Sequence, residues 1–205
     1  MTMHIKTIIT FLLIFLPLHA IADDAIKIVA FGDSLVEGYG LPPEISFPVK
    51  LEKKLKDKGY NVKVINHGVS GNTTADAKAR LQAVIEEKPN LVILEFGAND
   101  SFRRIPTSNI SENLDFIINE LKNHNIKVLL CGMKSPLYMG FDYANSFNKI
   151  YTDLSDKHDV KLFPFFLKDV AEKPELNLPD MIHPNEKGVD VIIDNIYPYI
   201  KKLIK

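Results

Sequence analysis

The chain has 205 residues, 46% of them hydrophobic and 25% charged, with a formal net charge of −1 and a single cysteine, Cys131. That size and composition suit one well-buried domain and exclude a disordered or collagen-like chain. The near-zero charge, with no Lys/Arg block, excludes a basic nucleic-acid-binding face, and one cysteine excludes a disulfide framework within the chain and every multi-cysteine zinc or iron–sulfur site.

The first segment reads as a leader. Lys6 supplies a positive charge, Ile8 to Leu18 is apolar except for Thr10, and Ala20-Ile21-Ala22 gives a small-x-small cleavage pattern before Asp23-Asp24. This is the layout of a secretory signal peptide over residues 1–22. The apolar run of about 11 residues is too short for a spanning helix, which needs about 20. The expectation is a mature chain that is periplasmic or secreted, with no stable membrane insertion, in which Cys131 is buried and inert.

From Ile26 onward, strand and helix patterns alternate. Ile26–Phe31, Val62–Ile65, Leu91–Phe96, Val128–Cys131 and a short run near Val160–Phe163 read as strands. Leu91-Val92-Ile93-Leu94 is continuously apolar, as a parallel strand covered on both faces requires. Helical spacing covers roughly Phe47–Lys58, Thr74–Glu87, Ile110–His124, Asn145–Lys157 and Glu186–Lys201. The order predicts an α/β fold: a doubly wound parallel sheet of about five strands between two helical layers, flavodoxin-like. Ser135–Asp142 and Phe163–Pro179 are the long irregular pieces, and in such folds strand-end loops build the site.

Four strand-end segments carry chemistry. Ser34 lies in Gly32-Asp33-Ser34-Leu35, directly after the first strand. Taken alone, Asp33 or Ser34 is a helix cap as readily as Ser34 is a nucleophile. Asp180 stands three residues ahead of His183, close enough to reach the imidazole Nδ1 and leave Nε2 for a serine hydroxyl, the arrangement that activates a nucleophile. The bland alternative is a turn-capping Asp and a surface His. His124 and His158 read as helix-end residues near the C-terminal dipole, and His67 stays unassigned. Asn99 in Gly97-Ala98-Asn99-Asp100 offers an amide donor, and Gly71 allows its backbone N–H to approach a ligand closely. With the Ser34 N–H these make a three-donor oxyanion hole. Asn99 as an N-cap and Gly71 as a turn residue are credible singly, but four such segments in order, each after a strand, are not well explained by capping.

Together the four segments resemble the blocks of the SGNH (GDSL-type) hydrolase superfamily across nearly all of residues 23–205. Within it, Glu37-Gly38-Tyr39-Gly40-Leu41-Pro42-Pro43 and Pro164-Phe165-Phe166 are similar to the bacterial periplasmic acyl-CoA thioesterase I / lysophospholipase / arylesterase group. Departures are Val36 where Ser or Thr often follows Leu, Asn72 for a common Asp, and His67 where a small residue is usual.

The resemblance implies a serine hydrolase of acyl esters, acyl-CoA thioesters and lysophospholipids, with Ser34 as nucleophile, His183 as base, Asp180 as its orienting acid, and no metal or cofactor. Because the base must start neutral, activity is expected to fall in acid. Tyr39 and the cluster Leu137, Tyr138, Met139 and Phe141 line an acyl groove or else seal the sheet edge. Two competing readings are a carbohydrate O-deacetylase on the same scaffold and a non-catalytic binding module.

Overall fold

A computed structural model describes residues 25–205, so the leader expected at 1–22 lies outside the described residues. Five strands, β1 (Ile26–Gly32), β2 (Val62–Gly68), β3 (Leu91–Glu95), β4 (Lys127–Cys131) and β5 (Lys161–Phe163), form one sheet in the order β2-β1-β3-β4-β5. Every pairing is parallel, with Ile28 facing Val64 on one side and Leu91 on the other, so β1 is an interior strand and the chain doubles back across it. This is the predicted doubly wound topology. It puts a crevice at the carboxyl ends of β1 and β3, where successive connections leave in opposite directions.

Among the described residues, seven α-helices connect the strands and one follows them: α1 (Ser34–Glu37), α2 (Phe47–Asp57), α3 (Thr74–Ala79), α4 (Leu81–Glu86), α5 (Ala98–Phe102), α6 (Thr107–Asn123), α7 (Phe141–His158) and, after β5, α8 (Glu186–Leu203). Each long helix buries one stripe. In α2 it is Phe47, Leu51 and Leu55 at four-residue spacing; in α6, Ile110, Leu114, Ile117, Ile118 and Leu121; in α8, Val189, Ile192, Ile193, Ile196 and Ile200. The helices α2 and α8 pack together as one layer, while α6 packs with α3 and α7 as the other. Burying a Leu or Ile side chain contributes about 1.5–3 kcal/mol, so these stripes fix the layers whatever the loops do. No helix among the described residues is long and apolar enough to cross a membrane. Cys131 is buried, as expected, and burial followed by the nearby Glu95 pushes its thiol well up.

The sequence reading differs from the structure chiefly at boundaries. The helix expected over Thr74–Glu87 is two, broken at Arg80, whose backbone (φ −108°, ψ 10°) leaves the helical region. The cause is the side chain, drawn inward to the carbonyls of Gly32 and His67. Strand β2 continues past Ile65 to Gly68, and α7 begins at Phe141 rather than Asn145. The two irregular stretches contain 3-10 turns at Leu137–Met139 and Pro174–Leu176.

Candidate active site

Strand β1 ends at Gly32, and the chain turns at once into the single turn of α1. Asp33 caps it, Oδ1 accepting from the Leu35 N–H at 3.0 Å. Ser34 is therefore the first helical residue at the carboxyl end of β1. The cap and the candidate nucleophile are neighbours with separate duties.

The candidate base arrives from the far end of the chain. Between β5 and α8 the backbone folds on itself. Asn177 and Pro184 form an isolated antiparallel bridge, and the Leu178 N–H donates to the His183 carbonyl at 2.7 Å. Asn185 then caps α8 through the Gly188 N–H. In this closed loop Asp180 Oδ1 accepts from the N–H groups of Ile182 (2.9 Å) and His183 (3.0 Å), leaving Oδ2 at 2.7 Å from His183 Nδ1. The opposite ring nitrogen, Nε2, lies 2.9 Å from Ser34 Oγ. Burial opposes the charge on Asp180, but the backbone hydrogen bond from His183, its imidazole and the Ile182 N–H together draw the carboxyl down to about 2. Asp180 is thus an anion wherever the imidazole needs one. The ring of Tyr39 lies against that imidazole, centroid to centroid 4.4 Å, and limits how it tilts.

The oxyanion candidates gather beside this line. Gly97 opens α5 with φ 122°, a conformation a β-carbon resists, and a Cβ there would collide with the Tyr151 hydroxyl. Asn99 follows in the first turn. Its Nδ2 donates to Asp33 Oδ2 (3.1 Å) and to the Asn72 carbonyl (3.0 Å), drawing the loop after β2 against the end of β1. Gly71 precedes Asn72 with φ 79°, its carbonyl taking a hydrogen bond from Arg103 at 3.0 Å. Sequence reasoning treated Asn99 as a cap or a donor; here Gly97 holds the cap position.

Three groups that organise this end were not singled out from sequence. Arg80 donates from Nε to Asn72 Oδ1 (2.7 Å), from Nη1 to the His67 carbonyl (2.8 Å) and from Nη2 to the Gly32 carbonyl (2.8 Å), and its guanidinium lies over the Phe31 ring. It ties the ends of β1 and β2 to the Gly71 loop. Asp100, buried, accepts from the backbone N–H and hydroxyl of Thr74, joining α5 to α3. Glu95, at the end of β3, is fully buried beside Asp33. A charge inside the apolar run Leu91–Phe96 was the signal available for it.

The remaining expectations divide. His124 ends α6 and His158 ends α7, as read from sequence. His67 lies in β2, where burial holds its imidazole down despite Glu87 nearby, and its contribution to this end is a carbonyl. Leu137 (71% exposed) and Tyr138 (74%) stand in solvent on the 3-10 turn, and Phe141 is exposed at the start of α7, but Met139 is only 8% exposed and seats the turn. The same segment is tied to α5 by a 2.8 Å hydrogen bond from Ser101 Oγ to Ser135 Oγ.

The family model for the GDSL-like lipase/acylhydrolase family matches residues 30–191. An arylesterase of Vibrio mimicus is 37% identical over 178 residues, spanning 86% of this chain and 89% of that protein. The thioesterase 1/protease 1/lysophospholipase L1 of Escherichia coli (strain K12) is 32% identical over 193 residues, spanning 94% and 90%. Among solved structures, the psychrotrophic esterase EstA from Pseudoalteromonas sp., inhibited by monoethylphosphonate, superposes with a TM-score of 0.82 at 32% identity, covering 86% of this chain and 97% of that one.

Proposed function

The chain belongs to the GDSL-like lipase/acylhydrolase family, and from that premise we propose that it hydrolyses carboxylic esters and thioesters through an acyl-enzyme on Ser34. The observation that carries the reading is the unbroken line from Asp180 Oδ2 to His183 Nδ1 (2.7 Å) and from His183 Nε2 to Ser34 Oγ (2.9 Å). The relatives named arylesterase and thioesterase/lysophospholipase support esters and thioesters over carbohydrate O-deacetylation, and lysophospholipids belong to the substrate class proposed.

In this mechanism His183 takes the Ser34 proton as Oγ attacks the acyl carbonyl. Asp180, an anion tied to two backbone N–H groups, fixes the tautomer and steadies the imidazolium. Charge on the tetrahedral oxygen falls to the Ser34 N–H, the Gly71 N–H and the Asn99 amide. Both hydrogens of that amide go to Asp33 and Asn72 in the free enzyme, so the oxyanion draws one toward itself as charge develops. His183 then protonates the leaving alkoxide or thiolate, and water repeats the sequence on the acyl-enzyme. Tyr39, Leu137, Tyr138 and Phe141 supply exposed apolar surface for the acyl chain, with Met139 beneath as support. Residues 1–22 act as a secretory signal, so the mature enzyme works in the periplasm or beyond.

The decisive experiment is fluorophosphonate labelling with kinetics on acyl esters from acetyl to palmitoyl, acyl-CoA and lysophosphatidylcholine. Wild type labels at Ser34; Ser34→Ala does not label and loses turnover by about 10⁴–10⁶. A Ser34→Ala protein within a few-fold of wild type on every substrate overturns the proposal.

A further inference from the structure

The acyl-transfer steps leave one buried carboxyl unused. Glu95 reaches from the end of β3 to beneath the nucleophile turn. The Asp33 N–H donates to its Oε2 at 3.4 Å, which sets the two buried carboxyls near enough for each to oppose the other's charge. Gly32 leaves the space: a Cβ there would stand 2.8 Å from Oε2 and closer still to Val36. The other oxygen, Oε1, is buried without a hydrogen-bond partner among the described residues.

The groups packed around this pair do not neutralise Glu95. Cys131 faces it across the β3–β4 register as a thiol, and Tyr151 of α7 gives its hydroxyl hydrogen to the Phe96 carbonyl. Asp100 adds negative charge toward Asp33, while His183 favours the Asp33 anion. Arg80 is the nearby cation, but its hydrogen bonds go to Gly32, His67 and Asn72. Two carboxylates side by side in such a place cannot both ionise, so the pair keeps one proton. Burial, then the Asp33 charge, push Glu95 far up. Burial also raises Asp33, to about 6, against the pull of the Leu35 N–H, Glu95 and His183. The Asp33 carboxyl also accepts from the Leu35 N–H (3.0 Å) and the Asn99 amide (3.1 Å), whereas Glu95 accepts one long bond and its Oε1 has no partner among the described residues, so the proton is placed on Glu95.

We propose that Glu95 is a positioning residue: as a neutral acid it donates to Asp33, which is thereby held as the acceptor that orients the Asn99 amide. This rests on the reading of Ser34 as nucleophile and Asn99 as an oxyanion donor. The reason lies in the symmetry of an amide, whose NH₂ and carbonyl ends occupy nearly the same space. A carboxylate only accepts, so an ionised Asp33 admits the NH₂ end of Asn99 and rejects the carbonyl end. Without a donor beneath it, Asp33 takes up a proton more readily. A protonated Asp33 can donate as well as accept, so it stops selecting the NH₂ end, and the Asn72 carbonyl is left to hold that orientation alone. An Asn99 turned the other way sets a carbonyl against the developing oxyanion.

The test compares Glu95→Met, which removes the donor at similar volume, with Glu95→Gln, which restores a neutral donor. For Glu95→Met the expected result is a kcat lower by about 10–100-fold with KM within about twofold, and an acid limb displaced to higher pH. Glu95→Gln should recover kcat to within about fivefold of wild type, with the acid limb back in place. Infrared spectra at pH 7.5 should show a protonated-carboxyl C=O band in wild type that Glu95→Gln lacks. Wild-type kcat and pH profile in Glu95→Met, a Glu95→Gln protein as impaired as Glu95→Met, or no such band in wild type each overturn the proposal. If Glu95→Met does not fold, the infrared band and the Glu95→Gln rate decide. Fluorophosphonate titration of each sample counts competent sites; a wild type that does not label refutes the serine mechanism instead, while the infrared band judges the buried proton separately.

Discussion

At the amino end of the sheet the chain returns from helix to strand four times, through two to four residues, and each time turns on one left-handed residue: Gly59, Lys88, Asn125 and Asp159. Charges there stay near water, as in the Lys27–Glu87 pair at 3.7 Å or Lys127 Nζ on the Leu203 carbonyl at 2.6 Å. At the carboxyl end the connections after β2, β4 and β5 run longer, and every buried polar or charged residue among those described is found there: Asp33, Ser46, Thr73, Thr74, Glu95, Asp100, Ser101, Ser135 and Asn177. The same strands thus carry at one end turns that satisfy themselves locally, and at the other a polar network assembled from distant segments. Burying polar groups is costly unless each finds a partner. The molecule concentrates that cost where chemistry requires donors and acceptors held in place.

Mutations at the two ends should therefore separate activity from stability. The largest effect is expected from His183→Ala, which should lower kcat by about 10⁴–10⁶ while leaving the thermal midpoint near wild type, because the side chain makes no core contact that others need. A large fall in the midpoint would instead make the histidine a structural element. Next, Asn99→Ala should cost about 10²–10³ in kcat with little change in KM, the pattern of a donor used only in the transition state. Equal effects on kcat and KM would place Asn99 in ground-state binding.

Asp33→Asn sharpens the contrast further. Burial raises Asp33 from 3.8 to about 6, so between those values the folded chain binds a proton that the unfolded chain has lost. Ionised Asp33 therefore costs stability in full above pH 6, and the cost fades as pH falls toward 3.8. Relative to wild type, Asp33→Asn should be more favourable to stability at pH 8 than at pH 5, and yet impair turnover. Denaturant titrations at both pH values check it; a gain that grows in acid would reverse the sign of the argument. The smallest effect belongs to the other end. Lys88→Gly or Asn125→Gly should change stability by only about 0.5 kcal/mol, in the stabilising direction, with kcat unchanged.

The same contrast governs what could be read from sequence. Period and capping signals are local, so Leu91-Val92-Ile93-Leu94 announced a buried strand and the spacing of Phe47, Leu51 and Leu55 a helix. Ser34, Gly71, Asn99, Asp180 and His183 could be nominated because each sits in a short segment with its own residue signature. Arg80 was not, since what breaks its helix is the hydrogen bonding of its side chain to carbonyls 13 and 48 residues away. Met139 and Leu137 look alike in sequence, and only tertiary packing turns one inward and the other out. Glu95 and Asp33, 62 residues apart, meet because β1 and β3 are neighbours, a fact of topology that no local pattern carries.

Asp180 and His183 share one short loop, pinched shut by the Asn177–Pro184 bridge, whereas Ser34, which His183 meets, is 149 positions away from it. The Asp180–His183 hydrogen bond is thus formed within one loop, with Tyr39 the one outside ring described against its imidazole. Evolution or an engineer can lengthen the intervening polypeptide, or open it and rejoin the termini, without retuning that pair. Only the docking of that loop onto the β1 corner decides whether the enzyme is switched on.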